Sequence, residues 1–421
     1  MKYYFFNANV LSQGEIFKGS VIVENNKITY VGKELPNVQA DRKIDVKDNI
    51  LMSGFVNAHS HSPMTLLRGL SDDVSLHVWL YDNMFKAESK MTPEDVYYGE
   101  MLGIAEQVRN GITCIEECYF YNDQILKALK KSGMRCRLAL PGVFDGEIKD
   151  ILKTLDKTIS EMDGELIRPV VYGHSIYTLT DEQIAILVDY SAKHKLPMSL
   201  HLAETLKEVG DCTVKYDKTP AELLEDLGVF DRKTTLYHCV HMDKDDIKIL
   251  SDYDVNVVTC PSSNLKLGSG IAPVFAMRNQ GVNVCLGTDG AASNNSLDMF
   301  KEMFLVATLN KATLYDASIL KANEVLDMAT KNGAKALGYD NLGDIVEGNL
   351  ADLILINLDT PHQMPRINLI SNLVYATKSS DVYFTMINGK VVYEDGKFNI
   401  GEDLADIYKN VQKISNRICE F

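Results

Sequence analysis

The chain has 421 residues, a length that predicts one large domain with a smaller one attached. Hydrophobic residues make up 46% and charged residues 24%, a composition typical of a globular protein. The net charge of −15, from 43 basic and 58 acidic residues, repels phosphate backbones and anionic lipids. We therefore expect neither nucleic acid nor a membrane as a partner.

The N-terminal residues and the cysteines indicate a cytoplasmic protein. The chain begins with no apolar segment of the kind that a signal peptide contains, and no apolar stretch is long enough to span a bilayer. The eight cysteines are scattered, and several lie in apolar runs, which predicts buried thiols. Cys114 and Cys118 can be read as a metal-binding pair, but no second pair lies at zinc-finger spacing, so we favour buried thiols here too.

Short strands at both ends of the chain predict a small β-sandwich domain. The runs that we interpret as strands there cover 20–23, 27–31, 352–356, 382–387 and 390–393. Asn388-Gly389 between the last two is typical of a type I′ hairpin turn. We expect residues 1–53 and 340–400 to build this domain together, followed by a helical tail at 401–421.

The middle of the chain alternates strands with amphipathic helices. Helices are predicted over 92–110, where Thr92 and Pro93 give an N-cap and a first helical residue, and over 181–194 and 243–251. The apolar runs that we interpret as strands cover 112–118, 134–140, 167–172, 197–202, 234–239, 255–260 and 282–286. With the strand that ends at His59 and His61, this makes eight. The sequence therefore predicts an α/β fold, a (β/α)₈ TIM-type barrel over residues 54–339.

Polar residues of catalytic types stand where these strands end, which is where this fold places its active site. Six of the nine histidines lie at four of the strand ends: His59, His61, His174, His201, His238 and His241. Asp289 follows strand eight. Random placement would scatter these residues along the chain.

Three imidazoles and a carboxylate suggest a metal site. His59 and His61 are two residues apart on a strand, so their side chains point to the same face. Together with His201 and Asp289 they suit a borderline divalent ion, Zn²⁺ first and Fe²⁺ as the alternative. Such an ion lowers the pKa of bound water from about 15.7 to about 7, which is worth roughly 12 kcal/mol. The alternative for the first pair is two hydrogen-bonded histidines at a polar strand end.

Two further residues suggest acid–base chemistry beside the metal. Glu204 lies three residues after His201 and suits a proton-shuttling role, or else is a surface carboxylate in the first turn of a helix. His238 is expected to orient the attacking water, or else to pack in the core. His241 is expected to point elsewhere, because only one of the two can end the strand facing inward.

Five stretches carry a resemblance to a known family. They are GFVNAHSHSPMTLLRGL at 54–70, HLAET at 201–205, HCVH at 238–241, LGTDGAASNN at 286–295 and GDIVEGNLADL at 343–353. In these stretches the chain resembles the amidohydrolase superfamily, and within it the 5-methylthioadenosine/S-adenosylhomocysteine deaminase-like branch, which neighbours the chlorohydrolases. The likeness extends over nearly the whole chain.

The resemblance implies a residue for each role in a hydrolytic deamination. One metal ion would be held by residues matching His59, His61, His201 and Asp289. Glu204 would protonate a ring nitrogen of the substrate, while His238 and Asp289 would be partners of the attacking water. His174 would touch the substrate, and Glu88 would bind ribose hydroxyls or else is a solvated helix residue.

The substrate implied is an amino-substituted nitrogen heterocycle, foremost an adenosine-type nucleoside or a related purine. A chlorohydrolase or amide hydrolase with the same metal is the alternative, and a barrel that serves only in assembly is the third. The end of strand four, at 170–174, lacks the lysine that binuclear members carboxylate, which favours one metal and argues against amide hydrolysis. Whether the protein forms a homo-oligomer is left open by the sequence.

One departure from the family concerns the substrate tail. The branch has an arginine at the end of strand three, where this chain has Leu140-Pro141-Gly142. Arg135 and Arg137 lie earlier on the strand. We therefore expect a substrate without a carboxylate tail of the kind that S-adenosylhomocysteine carries. Residues 174–177 also depart from the family, with Ser-Ile in place of Ala-Pro after the histidine.

Overall fold

Two sheets organise the chain, and the computed structural model describes residues 1–141 and 148–419 of it. The strands of the first sheet are β1 (Lys2–Ser12), β2 (Glu15–Glu24), β3 (Lys27–Gly32), β4 (Arg42–Asp45) and β5 (Ile50–Ser53), with the later β15 (Leu353–Ile356), β16 (Val382–Ile387), β17 (Lys390–Glu394) and β18 (Lys397–Phe398). The strands of the second sheet are β6 (Phe55–His61), β7 (Ile112–Glu117), β8 (Arg135–Leu140), β9 (Ile167–Tyr172), β10 (Met198–Leu202), β11 (Thr234–His238), β12 (Asn256–Thr259), β13 (Asn283–Leu286) and β14 (Asp289–Gly290).

Helices follow most strands of the second sheet. The α-helices are α1 (Phe85–Glu88), α2 (Pro93–Arg109), α3 (Asn122–Ser132), α4 (Ile148–Ser160), α5 (Asp181–His194), α6 (Leu206–Tyr216), α7 (Pro220–Asp226), α8 (Lys244–Asp252), α9 (Pro261–Lys266), α10 (Val274–Asn279), α11 (Ala291–Asn294), α12 (Met299–Leu314), α13 (Ala322–Ala329), α14 (Lys331–Ala336), α15 (Leu369–Tyr375) and α16 (Leu404–Ile418). Short 3₁₀ turns cover Ser62–Leu67, Val229–Asp231, Pro361–Gln363 and Ser379–Asp381, and a π-helical segment covers Val78–Met84.

The second sheet is the predicted TIM-type barrel. Its strands run parallel in chain order from β6 to β13, and β14, the continuation of β13, pairs with β6 and joins the last strand to the first. The predicted strands agree with the observed ones to within about two residues at each end. The eighth strand is interrupted at residues 287 and 288, between β13 and β14, and Asp289, the first residue of β14, has a left-handed φ of 61°.

The barrel interior is filled by alternate residues of its strands. Val56, Cys114, Val170, Val258 and Cys285 are fully buried and belong to one cluster inside the barrel. Their strand neighbours face the surrounding helices and join a separate cluster. Since both faces are covered, the strands read as continuous apolar runs, and the residues free for chemistry are those at the strand ends.

The first sheet is built from both ends of the chain, as predicted. β5 pairs with β1 on one side and with β15 on the other, so early and late strands lie next to each other. The turn between β16 and β17 has φ of 51° at Asn388 and 73° at Gly389, the positive pair that a type I′ turn requires. Helix α16 falls within the predicted helical tail, of which residues 420 and 421 lie outside the described part. Among the described residues, no helix is both long and apolar enough to cross a membrane.

Candidate active site

The four predicted metal ligands meet at the C-terminal end of the barrel. The Nε2 atoms of His59 and His61 lie 3.6 and 3.4 Å from Oδ1 of Asp289. One ring nitrogen from each of His59, His61 and His201 lies within 4.8 Å of the others. Ligand atoms about 2.0–2.1 Å from a shared zinc ion lie about 3.3 Å apart at the tetrahedral angle. Oδ1 of Asp289 thus lies near this spacing from His59 and His61, and the ring nitrogens of His59, His61 and His201 cluster within 4.8 Å of one another.

The hydrogen bonds of the three rings leave one nitrogen of each facing this centre. His61 Nδ1 donates to the carbonyl oxygen of Cys118, and His201 Nδ1 donates to that of His174 at 2.8 Å. His59 Nδ1 lies 3.8 Å from the Cys118 thiol, while its Nε2 is buried without a hydrogen-bond partner among the described residues. Such an orphaned nitrogen is expected of a ligand, because the second ring nitrogen of a metal-bound histidine is held by an outer partner.

The protonation states of these groups also suit metal binding. Burial lowers the pKa of His59 to about 3 and lowers the pKa of His61 and His201 as well. Burial alone would raise the pKa of Asp289, but the neighbouring imidazoles of His59, His61 and His238 outweigh it and hold that pKa well below its usual value. The site therefore presents neutral imidazoles and an ionised carboxylate, the forms that bind a metal.

Asp289 is oriented by two serine hydroxyls. Ser263 and Ser293 donate to its Oδ2 at 2.5 and 2.9 Å, which leaves Oδ1 directed at the histidines. The preceding residue is anchored as well, since the Thr288 backbone N–H donates to Asn57 Oδ1 at 2.8 Å. These contacts hold a carboxylate that would otherwise rotate freely.

Glu204 and His238 face the same cavity as the metal ligands. His238 Nδ1 donates to Asn264 Oδ1 at 2.8 Å, so Nε2 is the nitrogen available to a substrate or water. Burial favours the neutral ring of His238, but the charges of Glu204 and Asp289 outweigh it and raise its pKa. Burial raises the pKa of Glu204. By contrast, His241 Nε2 donates to the carbonyl oxygen of Ser269 at 2.8 Å.

The cavity is open to solvent, and the empty space in and around it amounts to about 740 Å³. Its apolar wall is formed by Met64, Leu76, Trp79, Leu80, Phe85, Phe120 and Leu267. The predicted substrate residues Glu88 and His174 also line it. Glu88 accepts a hydrogen bond from Tyr119 Oη at 2.6 Å, and burial raises its pKa to about 7. Burial lowers the pKa of His174 to about 4, so its ring is neutral at physiological pH.

Sequence reasoning missed a buried network beneath His59. Tyr237 stacks on the His59 ring with centroids 3.8 Å apart, and its hydroxyl donates to Glu116 and lies 3.4 Å from the Cys118 thiol. Arg137 Nε in turn donates to Glu116 at 2.7 Å. Cys118, assigned from the sequence only as a buried thiol, thus supports both His59 and His61. Glu116 and Tyr237 gave no sequence signal, because they lie inside apolar runs rather than after them.

The two arginines of strand three are occupied away from the cavity. Arg135 forms a buried ion pair with Asp352, with Nε 2.8 Å from Oδ2, and Arg137 pairs with Glu116. Neither lines the cavity. The family arginine is expected at Leu140-Pro141-Gly142. Of these three residues, Gly142 lies outside the described part of the chain.

Comparisons with known proteins agree with this geometry. The model of the amidohydrolase family matches residues 50–392. A 5-methylthioadenosine/S-adenosylhomocysteine deaminase of Thermoanaerobacter pseudethanolicus is 39% identical over 410 residues, which cover 95% of this chain and 94% of that protein. A 5'-deoxyadenosine deaminase of Methanothermobacter thermautotrophicus is 38% identical over 400 residues, which cover 94% and 93%.

Solved structures show the same fold over the whole chain. An adenosine deaminase from Xanthomonas campestris with bound zinc superposes with a TM-score of 0.94 at 33% identity, covering 99% of this chain and 98% of that one. A zinc complex of an atrazine chlorohydrolase from Arthrobacter aurescens gives a TM-score of 0.90 at 22% identity, covering 98% and 100%, a likeness of fold. On this evidence the chain belongs to the amidohydrolase family.

Proposed function

We propose that this protein is a metal-dependent deaminase that hydrolyses an adenosine-type nucleoside and releases ammonia. The observation that carries the proposal is the cluster of His59, His61 and His201 ring nitrogens within 4.8 Å of one another, with Asp289 Oδ1 3.6 and 3.4 Å from His59 and His61, beside a cavity that Glu204 lines. Relatives that match nearly the whole chain at 38–39% identity are named as deaminases of adenosine derivatives. The zinc bound in the adenosine deaminase structure supports Zn²⁺ as the metal, with Fe²⁺ as the alternative.

Each step of the hydrolysis has a residue in place. A bound ion would supply a Lewis acid that lowers the pKa of the attacking water. Glu204, whose pKa is raised by burial, donates a proton to the ring nitrogen next to the amino-bearing carbon as water adds to that carbon. Asp289 accepts a proton from the water and passes it to the amino group. The carbon–nitrogen bond then breaks, the new hydroxyl returns a proton to Glu204 as it becomes a carbonyl, and ammonia leaves.

His238 and the substrate residues complete the assignment. With Nδ1 bound to Asn264, His238 orients the water through Nε2. Glu88 accepts hydrogen bonds from ribose hydroxyls beside Tyr119. His174, neutral and exposed to the cavity, contacts the purine ring.

The cavity wall favours a nucleoside with an uncharged 5' group. Among the described residues that line the cavity there is no lysine or arginine, whereas three carboxylates line it: Glu88, Glu204 and Asp289. A carboxylate or phosphate on the substrate would therefore lack a cationic partner, while a methylthio or methyl group suits the apolar wall. We expect kcat/KM for 5'-methylthioadenosine to exceed that for S-adenosylhomocysteine by at least about tenfold, the equivalent of 1.4 kcal/mol.

Product analysis tests the reaction class. Zinc-loaded protein is incubated with nucleosides, free purines, pterins, pyrimidines and chlorinated triazines, and ammonia and chloride are measured. Ammonia from adenosine derivatives, lost in Glu204→Gln with zinc still bound at one per chain, supports the proposal. Chloride release from a triazine, with no ammonia from any nucleoside, overturns it in favour of a chlorohydrolase.

A further inference from the structure

Glu208 makes two hydrogen bonds that reach outside its own helix. It is 4% exposed and lies in the first turn of α6, four residues after Glu204. Its Oε1 accepts from the backbone N–H of Ala203 and its Oε2 from that of Glu204, both at 2.9 Å. One carboxylate thus holds two consecutive amides at the end of β10. Burial raises the pKa of Glu208 to about 7, and the two backbone hydrogen bonds oppose this rise because they favour the ionised form.

A glutamate at the same position of another helix makes a different hydrogen bond. In α7, the equivalent residue Glu222 accepts from the backbone N–H of its own N-cap, Thr219, at 2.8 Å, the usual capping box. In α6 the N-cap Thr205 accepts from the Glu208 N–H at 3.1 Å, but the carboxylate extends past Thr205 to the two residues before it. Glu208 therefore joins the helix to the strand end rather than closing the helix.

The backbone that Glu208 holds takes a conformation that needs support. Ala203 has a left-handed φ of 49°, which is unfavourable for a residue with a Cβ. Its carbonyl oxygen accepts from the backbone N–H groups of Val240 and His241 at 3.1 and 2.9 Å. The residue before Glu204 is thus fixed on its carbonyl side by the loop after β11 and on its amide side by Glu208. This geometry sets the direction in which the Glu204 side chain leaves the strand.

We propose that Glu208 is a positioning residue that aims Glu204 at the substrate ring, an inference that rests on the proposed function. Glu208→Gln keeps the size of the side chain but replaces one acceptor oxygen with an NH₂ group, so one of the two backbone amides faces a donor. A misplacement of about 1 Å in a catalytic group costs about 100-fold in rate. We expect kcat to fall by about 100-fold, with KM changed less than about threefold and zinc still bound at one per chain.

The experiment is a double-mutant cycle in kcat on zinc-loaded protein with 5'-methylthioadenosine. Wild type, Glu208→Gln, Glu204→Gln and the double variant are compared. Glu222→Gln serves as the matched control, because one amide oxygen is enough for an ordinary capping box, as Gln183 shows in α5. If Glu208 acts through Glu204, the double variant is no slower than Glu204→Gln alone, and Glu222→Gln keeps wild-type kcat. Losses that multiply in the double variant, or wild-type kcat in Glu208→Gln, would overturn the inference.

Two measurements distinguish a failure of this inference from a failure of the proposed function. Glu208→Asp retains the charge but shortens the side chain, so it provides a second variant if Glu208→Gln does not fold; we expect the same loss of kcat at unchanged zinc content. Wild-type kcat in Glu204→Gln would instead contradict the role that the proposed function gives to Glu204. The failures of the two proposals are therefore distinguishable.

Discussion

The backbone carbonyl oxygen of His174 accepts two hydrogen bonds from His201, one from Nδ1 at 2.8 Å and one from the backbone N–H at 2.9 Å. The first fixes the ring so that Nε2 faces the metal centre, and the second joins the ends of β9 and β10. His174 therefore supports the proposed metal ligand His201 through its main chain, while its side chain lines the cavity.

This division of roles leads to a prediction for His174→Ala. The variant keeps the carbonyl group that orients His201, so we expect zinc affinity to remain within about twofold of wild type. Loss of the imidazole should raise KM for the nucleoside by about tenfold or more, since a hydrogen bond to the substrate is worth about 1–1.5 kcal/mol. Zinc competition with a chelating dye and steady-state kinetics measure the two effects. His194→Ala, on α5, is the control; a loss of zinc from His174→Ala would contradict the assignment.

The network beneath His59 predicts an effect on metal affinity. Tyr237→Phe keeps the ring stacked on His59 but removes the hydroxyl that contacts Glu116 and Cys118. Because outer partners orient a ligating histidine, we expect zinc affinity to fall by about 10- to 100-fold. Tyr339→Phe removes a buried hydroxyl that donates to the Cys136 carbonyl oxygen at 2.9 Å, away from the metal. That control should lose stability without losing zinc affinity, and equal zinc affinities in the two variants would refute the role of the network.

A buried ion pair joins the barrel to the first sheet and predicts a stability effect. Arg135 Nη2 donates to Asp352 Oδ1 at 2.9 Å, and the same oxygen accepts from the Asn388 N–H at 2.8 Å. Arg135→Met leaves the Asp352 charge buried without its partner, so we expect the free energy of unfolding to fall by about 3–5 kcal/mol. Urea denaturation measures this loss. The double variant with Asp352→Asn should recover part of the lost stability. Wild-type stability in Arg135→Met would contradict the assignment of a buried ion pair between Arg135 and Asp352.

Glu88 gives a prediction for pH dependence. Burial raises its pKa from an ordinary value of 4.5 to about 7, so the ionised form dominates only above that pH. If the carboxylate accepts ribose hydroxyls, KM for the nucleoside should fall as pH rises from 6 to 8. Protonation is favoured in the folded state, so the contribution of Glu88 to stability is complete below pH 4.5 and is lost as pH rises through 7. Glu88→Gln should flatten both profiles, whereas a KM trend that persists in it would assign the effect to another group.

The sequence was informative about the barrel and the metal ligands for a specific physical reason. Side chains at the C-terminal ends of parallel strands meet at one end of a barrel, so His59, His201 and Asp289 could be brought together without coordinates. The same argument could have found Asn264, which follows β12 closely, yet a single asparagine there carries no pattern. The left-handed φ of Asp289 could not be predicted, because the hydrophobic pattern carries no information about the backbone torsion of a single residue.

Contacts inside the barrel could not be predicted in the same way. Glu116 and Arg137 form an ion pair across neighbouring strands, but their partners depend on strand register and on which alternate residues face inward. The spacing of Glu208 from Thr205 matches that of an ordinary capping box. Only the course of the chain between β10 and α6 shows that its carboxylate holds Ala203 and Glu204 instead.

We propose that His59, His61, His201 and Asp289 bind one catalytic ion. This proposal is tested most directly by titrating chelator-treated protein with Zn²⁺ while following ammonia release from 5'-methylthioadenosine. We expect no turnover without metal and a linear rise that ends at one equivalent of zinc per chain. Full turnover by the metal-free protein, or a rise that continues to two equivalents, would contradict the account.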